Sequence, residues 1–267
     1  MPSSRHDAWQ AGESYDAYMG RWSRQIAPQF VDWLAAPADA DWFEVGCGTG
    51  ALSQAILARA VPRSLVSTDP SEGFLARARA QVADPRARFA LGDAQRLDAP
   101  DAARDVVVSG LVLNFVPDRE AALREMKRIA RPGGLVGFYV WDYPGGGIEF
   151  MRAFWTAAAA LDPAARDLTE DRRFPFCTLD ALVDLARRAG LAQTAARAID
   201  APTVFRDFDD YWRPFTLGAG PAPGYCAKLD PERRERLRTT LDRALPRRPD
   251  GTIALNSRAW AVKAKVS

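Results

Sequence analysis

From residue 41 onward the chain alternates short apolar runs with stretches of helical periodicity, and no other feature constrains its fold as much. The runs read Asp41-Trp-Phe-Glu-Val45, Ser64-Leu-Val-Ser-Thr68, Ala87-Arg-Phe-Ala-Leu91, Asp105-Val-Val-Val-Ser109 and Leu135-Val-Gly-Phe-Tyr-Val-Trp141. Between them the pattern predicts helices over 50–60, 71–82 and 119–130, the last closed by Arg131-Pro-Gly-Gly134. A strand–helix–strand rhythm builds βαβ units, whose parallel strands are covered by helices on both faces. The unbroken valines of 106–108 suit a strand buried on both sides.

After Trp141 the rhythm breaks. Residues 144–178 open on Pro144-Gly-Gly-Gly147 and carry aromatic and Arg residues. A helix is predicted over 179–189 and a strand near 193–199. A second irregular stretch, 201–250, holds a charged helix at 231–244. The alternation of 258–266 predicts a final antiparallel strand. The expected architecture is therefore α/β: a doubly wound, seven-stranded, mostly parallel sheet, its last strand antiparallel. Residues 1–36 form an N-terminal cap segment containing Trp9, Tyr15, Tyr18 and Trp22. Residues 37–267 form the main domain, with the inserts at 144–178 and 201–250 as a lid over a substrate.

The turn after the first run reads Glu44-Val-Gly46-Cys47-Gly48-Thr-Gly50. Glycines there permit positive φ and let a ligand approach the backbone beside a helix N-terminus. Asp69 follows at the end of the second run, where an acid can accept from both hydroxyls of a ribose. Asp93, within Gly92-Asp-Ala94, ends the third. Open α/β sheets bind ligands at the carboxyl ends of their strands, so the three together mark one nucleoside-sized site. Singly, the loop has a lesser reading as a tight turn without a ligand, and Asp93 reads first as a turn cap.

This loop resembles, almost letter for letter, the cofactor motif of class I S-adenosylmethionine-dependent methyltransferases. Its G-x-G-x-G spacing differs from the G-x-G-x-x-G of dinucleotide-binding proteins. The resemblance continues through Ser67-Thr-Asp69-Pro-Ser71, Leu75 and Arg79, Gly92-Asp93-Ala94, 105–115 and Arg131-Pro-Gly-Gly134. It is strong over 41–142 and loose over the final strands. Within the class the chain is most similar to the small-molecule group that includes ubiquinone and menaquinone biosynthesis enzymes, and Tyr18-Met-Gly-Arg-Trp-Ser-Arg24 resembles an entry segment of that group. The resemblance implies a Rossmann-like fold and S-adenosyl-L-methionine as cofactor. Gly46, Cys47, Gly48 and Gly50 would border its methionine part, with Glu44 orienting the loop near the amino group. Asp69 would hold the ribose with Pro70 beside the adenine, and Asp93 and Ala94 would meet the adenine edge. Ser109, Leu111 and Phe115 would pass beneath the sulfonium. Tyr15, Arg21 and Trp22 would add contacts from the entry segment, Arg21 to the cofactor carboxylate.

The expected reaction is in-line transfer of a methyl group to a small, aromatic or apolar organic acceptor, within a pocket drawing on Trp155, Phe174, Phe176, Phe205, Phe208, Tyr211, Trp212 and Phe215. Rival readings are a non-catalytic cofactor-binding regulator and a nicotinamide-dependent oxidoreductase, the latter disfavoured by the glycine spacing and Asp93. Ser109-Gly-Leu-Val-Leu-Asn114 lacks the Asn/Asp-Pro-Pro-Tyr motif of enzymes that methylate amino groups of nucleic acids and proteins. A net charge of +2 gives no basic face for a nucleic-acid partner. The single histidine, His6, leaves histidine base catalysis without its residue. Tyr18, Asp142, Tyr143 and Glu149 are the candidate bases, each with a structural alternative. Three widely spaced cysteines point to no metal and a reducing compartment. No run of about 18 apolar residues spans a bilayer and no apolar leader opens the chain, so the expected location is the cytoplasm.

Overall fold

A computed structural model describes residues 16–218 and 220–267. One π-helical turn, Asp16–Gly20, leads into α1 (Arg21–Leu34). The alternation then resolves as β1 (Asp41–Val45), α2 (Ala51–Arg59), β2 (Ser64–Asp69), α3 (Glu72–Gln81), β3 (Ala87–Leu91), β4 (Arg104–Gly110), α4 (Arg119–Ile129) and β5 (Ala130–Trp141). Side chains that accept a first-turn N–H open two of these helices: Ser71 from Phe74 and Asp118 from Ala121. Then come α5 (Glu149–Leu161), a 3-10 turn (Pro163–Leu168), the one-turn α6 (Glu170–Arg173), α7 (Leu179–Arg188) and β6 (Gln193–Phe205). The chain closes with α8 (Phe208–Trp212), a second 3-10 turn, α9 (Pro221–Lys228), α10 (Pro231–Ala244) and β7 (Ile253–Lys265).

The seven strands form one sheet in the order β3-β2-β1-β4-β5-β7-β6. The pairs β3–β2, β2–β1, β1–β4 and β4–β5 are parallel, and β7 runs antiparallel to β5. The doubly wound sheet read from the alternation is thus present, and its chain reversal between β1 and β4 opens the cleft that such sheets use for ligands.

Two strands and one turn differ from expectation. β6 runs to Phe205 rather than 199, because Ala201, Thr203 and Phe205 continue an inward alternation past Pro202. β6 is an edge strand, where a proline's missing N–H costs no ladder bond. β7 begins at Ile253 rather than 258. Arg131-Pro-Gly-Gly134 ends α4 but lies inside β5, which starts at Ala130 and shifts register between Arg104 and Val106.

The chain divides into two compact units. The sheet unit comprises Ser23–Trp141, Phe176–Ile199 and Ala259–Ser267; its core holds Phe30, Trp42, Phe43, Val106–Val108 and Tyr139, with the Phe30 and Tyr139 rings 4.7 Å apart. The insert unit comprises the stretch up to Trp22, Asp142–Pro175 and Asp200–Arg258. Aromatic rings form its core: Phe154 stacks on Phe215 at 4.4 Å, Tyr18 meets Phe150 and Phe215 edge-on, and the Tyr211 hydroxyl donates to the Phe150 carbonyl at 2.8 Å. Phe205, Phe208, Tyr211, Trp212 and Phe215, expected around a substrate, are therefore buried packing residues. Phe176 belongs to the sheet unit, beneath the Arg119 guanidinium at 3.9 Å. Among the described residues no helix is long and apolar enough to cross a membrane.

Candidate active site

In the sheet unit, the glycine turn is tied to the neighbouring strand by its own backbone. Gly46 and Cys47 both donate to the Thr68 carbonyl, at 2.7 and 2.9 Å. Gly46 has φ +74°, and a Cβ there would lie 2.4 Å from a Val112 methyl, so the position excludes a side chain twice over. Gly48 also has positive φ, +53°, but no atom lies within 4 Å of where its Cβ would be. It is the open face of the turn.

Asp69 ends β2 beside this face, 6% exposed. Its Oδ2 accepts the Gly48 N–H and its Oδ1 the Ser71 N–H, both at 2.9 Å. Burial pushes its pKa above the ordinary carboxylate value, against the pull of those two donors. Each oxygen keeps further acceptor capacity. Glu44 is fully enclosed: its Oε2 accepts from the Ser53 and Ser67 hydroxyls, and burial raises its pKa to about 7. It braces the turn from inside. Cys47 packs with Leu75, Ala78 and Phe89, and burial holds its thiol protonated.

Asp93 is exposed, and its Oδ1 accepts the Gln95 backbone N–H at 2.9 Å, a turn cap that leaves Oδ2 outside that bond. Pro70 is exposed and Ala94 half-buried. At the end of β4, Ser109 is buried and donates to the Val45 carbonyl at 2.9 Å. Leu111 adopts φ +62°, a left-handed conformation that costs a branched residue about 1–2 kcal/mol. Its N–H donates to Tyr139 at 2.8 Å, and Phe115 beyond it is 41% exposed. Asn114, absent from the sequence expectations, is 2% exposed with neither side-chain amide atom hydrogen-bonded. A buried amide without partners is costly.

The remaining expected residues lie in the insert unit, apart from Tyr15, which falls outside the described residues. Arg21 has a different partner from the one expected: its guanidinium bonds both oxygens of Asp210, at 3.1 and 3.3 Å, and the Val204 carbonyl. Trp22 packs against Phe150 and Phe205. Tyr18 is 1% exposed, and burial, then Glu170, push its pKa up, which opposes service as a base. Asp142 caps its own turn, accepting the Gly145 N–H at 2.8 Å. Glu149 accepts the Asn256 N–H at 2.8 Å. Tyr143 rests on Phe174 and lines a cavity of about 540 Å³. Trp155 and Glu170 line it too.

Gly48's open face and the two Asp69 oxygens offer acceptors suited to the hydroxyl groups of a nucleoside; the residues present fit the adenosine-bearing cofactor expected from the motif.

Known proteins place this geometry in context. A family described as a methyltransferase domain matches residues 43–138. The malonyl-[acyl-carrier protein] O-methyltransferase of Serratia marcescens is 32% identical over 128 residues, 48% of each chain, so the match spans about half of either protein. Similarity to the trans-aconitate 2-methyltransferase of Methylobacterium radiotolerans is more extended: 30% identity over 237 residues, 84% of this chain and 86% of that one. Among solved structures, phosphoethanolamine N-methyltransferase 2 of Haemonchus contortus in complex with S-adenosyl-L-methionine shares the fold with a TM-score of 0.60 at 15% identity, covering 96% of this chain and 57% of that one.

Proposed function

Because this chain belongs to the family of S-adenosylmethionine-dependent methyltransferases, we propose that its sheet unit binds S-adenosyl-L-methionine and that the protein transfers the methyl group to a small organic acceptor. The observation that carries this reading is Asp69, whose carboxylate stands against the open face of Gly48 with acceptor capacity to spare. When bound, the cofactor supplies an electrophilic methyl on a sulfonium, a leaving group that needs no activation.

The protein's part is alignment and exclusion of water, which are worth about 7–11 kcal/mol in a well-oriented reaction. Asp69 accepts from the ribose hydroxyls, with Pro70 against the adenine face. Asp93 accepts from the adenine amino group through Oδ2, the oxygen outside its cap. Gly48 gives the methionine part backbone-close passage, Gly46 and Gly50 let the turn pack on Val112 and Val82, and Glu44 holds the turn through Ser53 and Ser67. Ser109, Leu111 and Phe115, at and just past the end of β4, border the sulfonium position. Within the insert unit, a cavity lined by Tyr143 and Trp155 suits a planar body.

Calorimetric titration with S-adenosylhomocysteine, beside NADH and an Asp69→Ala variant, tests the reading. Micromolar binding of the homocysteine nucleoside alone, lost in the variant, is expected. No binding by the wild-type protein, or binding indifferent to Asp69, overturns it.

A further inference from the structure

The insert unit encloses a buried carboxyl that the proposed reaction does not yet use. Glu170 stands on α6 at 5% exposure. Its Oε2 accepts the Trp155 indole N–H at 2.5 Å, while its Oε1 is buried with no hydrogen-bond partner. A carboxyl oxygen removed from water and left unbonded costs about 1–3 kcal/mol or more, a cost that a donor entering the cavity relieves. Burial raises the group's pKa to about 7, with its own backbone N–H and then Arg173 drawing it partly back.

Glu170 lines the cavity of about 540 Å³, whose walls include Tyr143, Ile148, Met151 and Trp155. That volume is of the size that holds small ligands, and the walls suit a flat apolar body. Two exposed arginines, Arg152 and Arg166, also line it, against the single exposed acid Asp171. Arg152 has Glu149 3.9 Å away. The cavity thus offers an acceptor at a buried point and an excess of cationic donors at exposed ones. A ligand ammonium would meet Glu170 favourably but would face both arginines.

We propose that this cavity binds a hydroxyaryl carboxylate, its O–H donated to Glu170 Oε1 and its carboxylate held by Arg152 and Arg166. Trp155 is the positioning residue, since its indole N–H occupies Oε2 and leaves Oε1 as the oxygen that meets the ligand. This binding does not rest on the function proposed above.

The test is calorimetry on the full chain with 4-hydroxybenzoate, benzoate, phenol and tyramine, each with S-adenosylhomocysteine titrated separately. 4-Hydroxybenzoate is expected to bind at least tenfold tighter than benzoate, which lacks the hydroxyl, and than phenol, which lacks the carboxylate. Glu170→Gln retains an oxygen for Trp155 and presents an NH₂ to the cavity; it should lower affinity for 4-hydroxybenzoate to the level of benzoate while leaving benzoate unchanged. An Arg152→Ala/Arg166→Ala variant should lower it to the level of phenol. Unaltered S-adenosylhomocysteine affinity in both variants shows that the fold persists. Tighter binding of tyramine, or equal binding of 4-hydroxybenzoate by the wild-type and Glu170→Gln proteins, overturns the proposal even where the nucleoside binds; failure of the nucleoside to bind the wild type overturns the cofactor reading instead.

Discussion

The Asp69 carboxylate accepts the Gly48 backbone N–H at 2.9 Å, so the acid that ends β2 also fixes the turn that follows β1. One side chain therefore shapes the turn and faces the ribose position. Asp69→Asn keeps an oxygen for one of its two N–H donors and sets an NH₂ against the other. It should weaken S-adenosylhomocysteine binding by roughly 10- to 100-fold, the range of a hydrogen bond to a charged group. Asp69→Ala should weaken it further. Calorimetry of the pair checks the order.

Two glycines in the same turn should separate stability from binding. At Gly46 an added methyl collides with Val112 as well as requiring positive φ, so Gly46→Ala should cost several kcal/mol of stability, on the order of an overpacked core site. At Gly48 only the backbone term applies, about 1–2 kcal/mol, because the space beyond is open. Gly48→Ala should stay folded yet lose S-adenosylhomocysteine affinity. Denaturant midpoints read beside calorimetry decide it, and equal destabilisation by both would contradict the distinction.

Stability should fall as pH rises toward neutrality. Glu44 and Glu170 each move from an ordinary 4.5 to about 7 through burial. A carboxyl raised in the folded state contributes fully below about pH 4.5, and that contribution is lost as pH rises through about 7. Each displacement corresponds to at most roughly 3 kcal/mol. Urea unfolding between pH 5 and 8 should show the decline, with Glu44→Gln and Glu170→Gln each flattening part of it.

Arg21 should prove a strut of the insert unit. Its bonds to Asp210 and its guanidinium 4.3 Å from the Trp22 ring centre predict a loss of about 1 kcal/mol in Arg21→Ala, shared with Asp210→Ala in a double-mutant cycle. S-Adenosylhomocysteine affinity should not change. A selective loss of that affinity would restore the residue to the cofactor carboxylate.

The sheet was legible because its strands carry their burial in their composition. β1 and β3 begin and end where the apolar runs do, since turn residues bound them. The end of β6 is less legible: Pro202 reads as a breaker, and only the sheet order reveals an edge strand that tolerates it. Gly48 and Asp69 were legible for a different reason: their chemistry depends on chain-local turns at adjacent strand ends. Glu170 was not. Thr169-Glu-Asp-Arg-Arg173 has the look of a solvated charge run, and what makes one of its acids special is Trp155 on a different helix. The same holds for Asn114, because an unpaired amide is a property of its surroundings.

The insert unit is assembled from three separated stretches of chain, threaded between those of the sheet unit. Neither unit can be excised as a continuous fragment, so ordinary single-crossover recombination cannot exchange one against a relative's. Transplanting the insert unit means joining at Trp22/Ser23, Trp141/Asp142, Pro175/Phe176, Ile199/Asp200 and Arg258/Ala259 together. Two of those seams fall inside β6 and β7, where a graft must also preserve which side chains face inward. A lineage reshaping the insert unit is thereby confined to point substitution and loop-length change, and cannot borrow it whole.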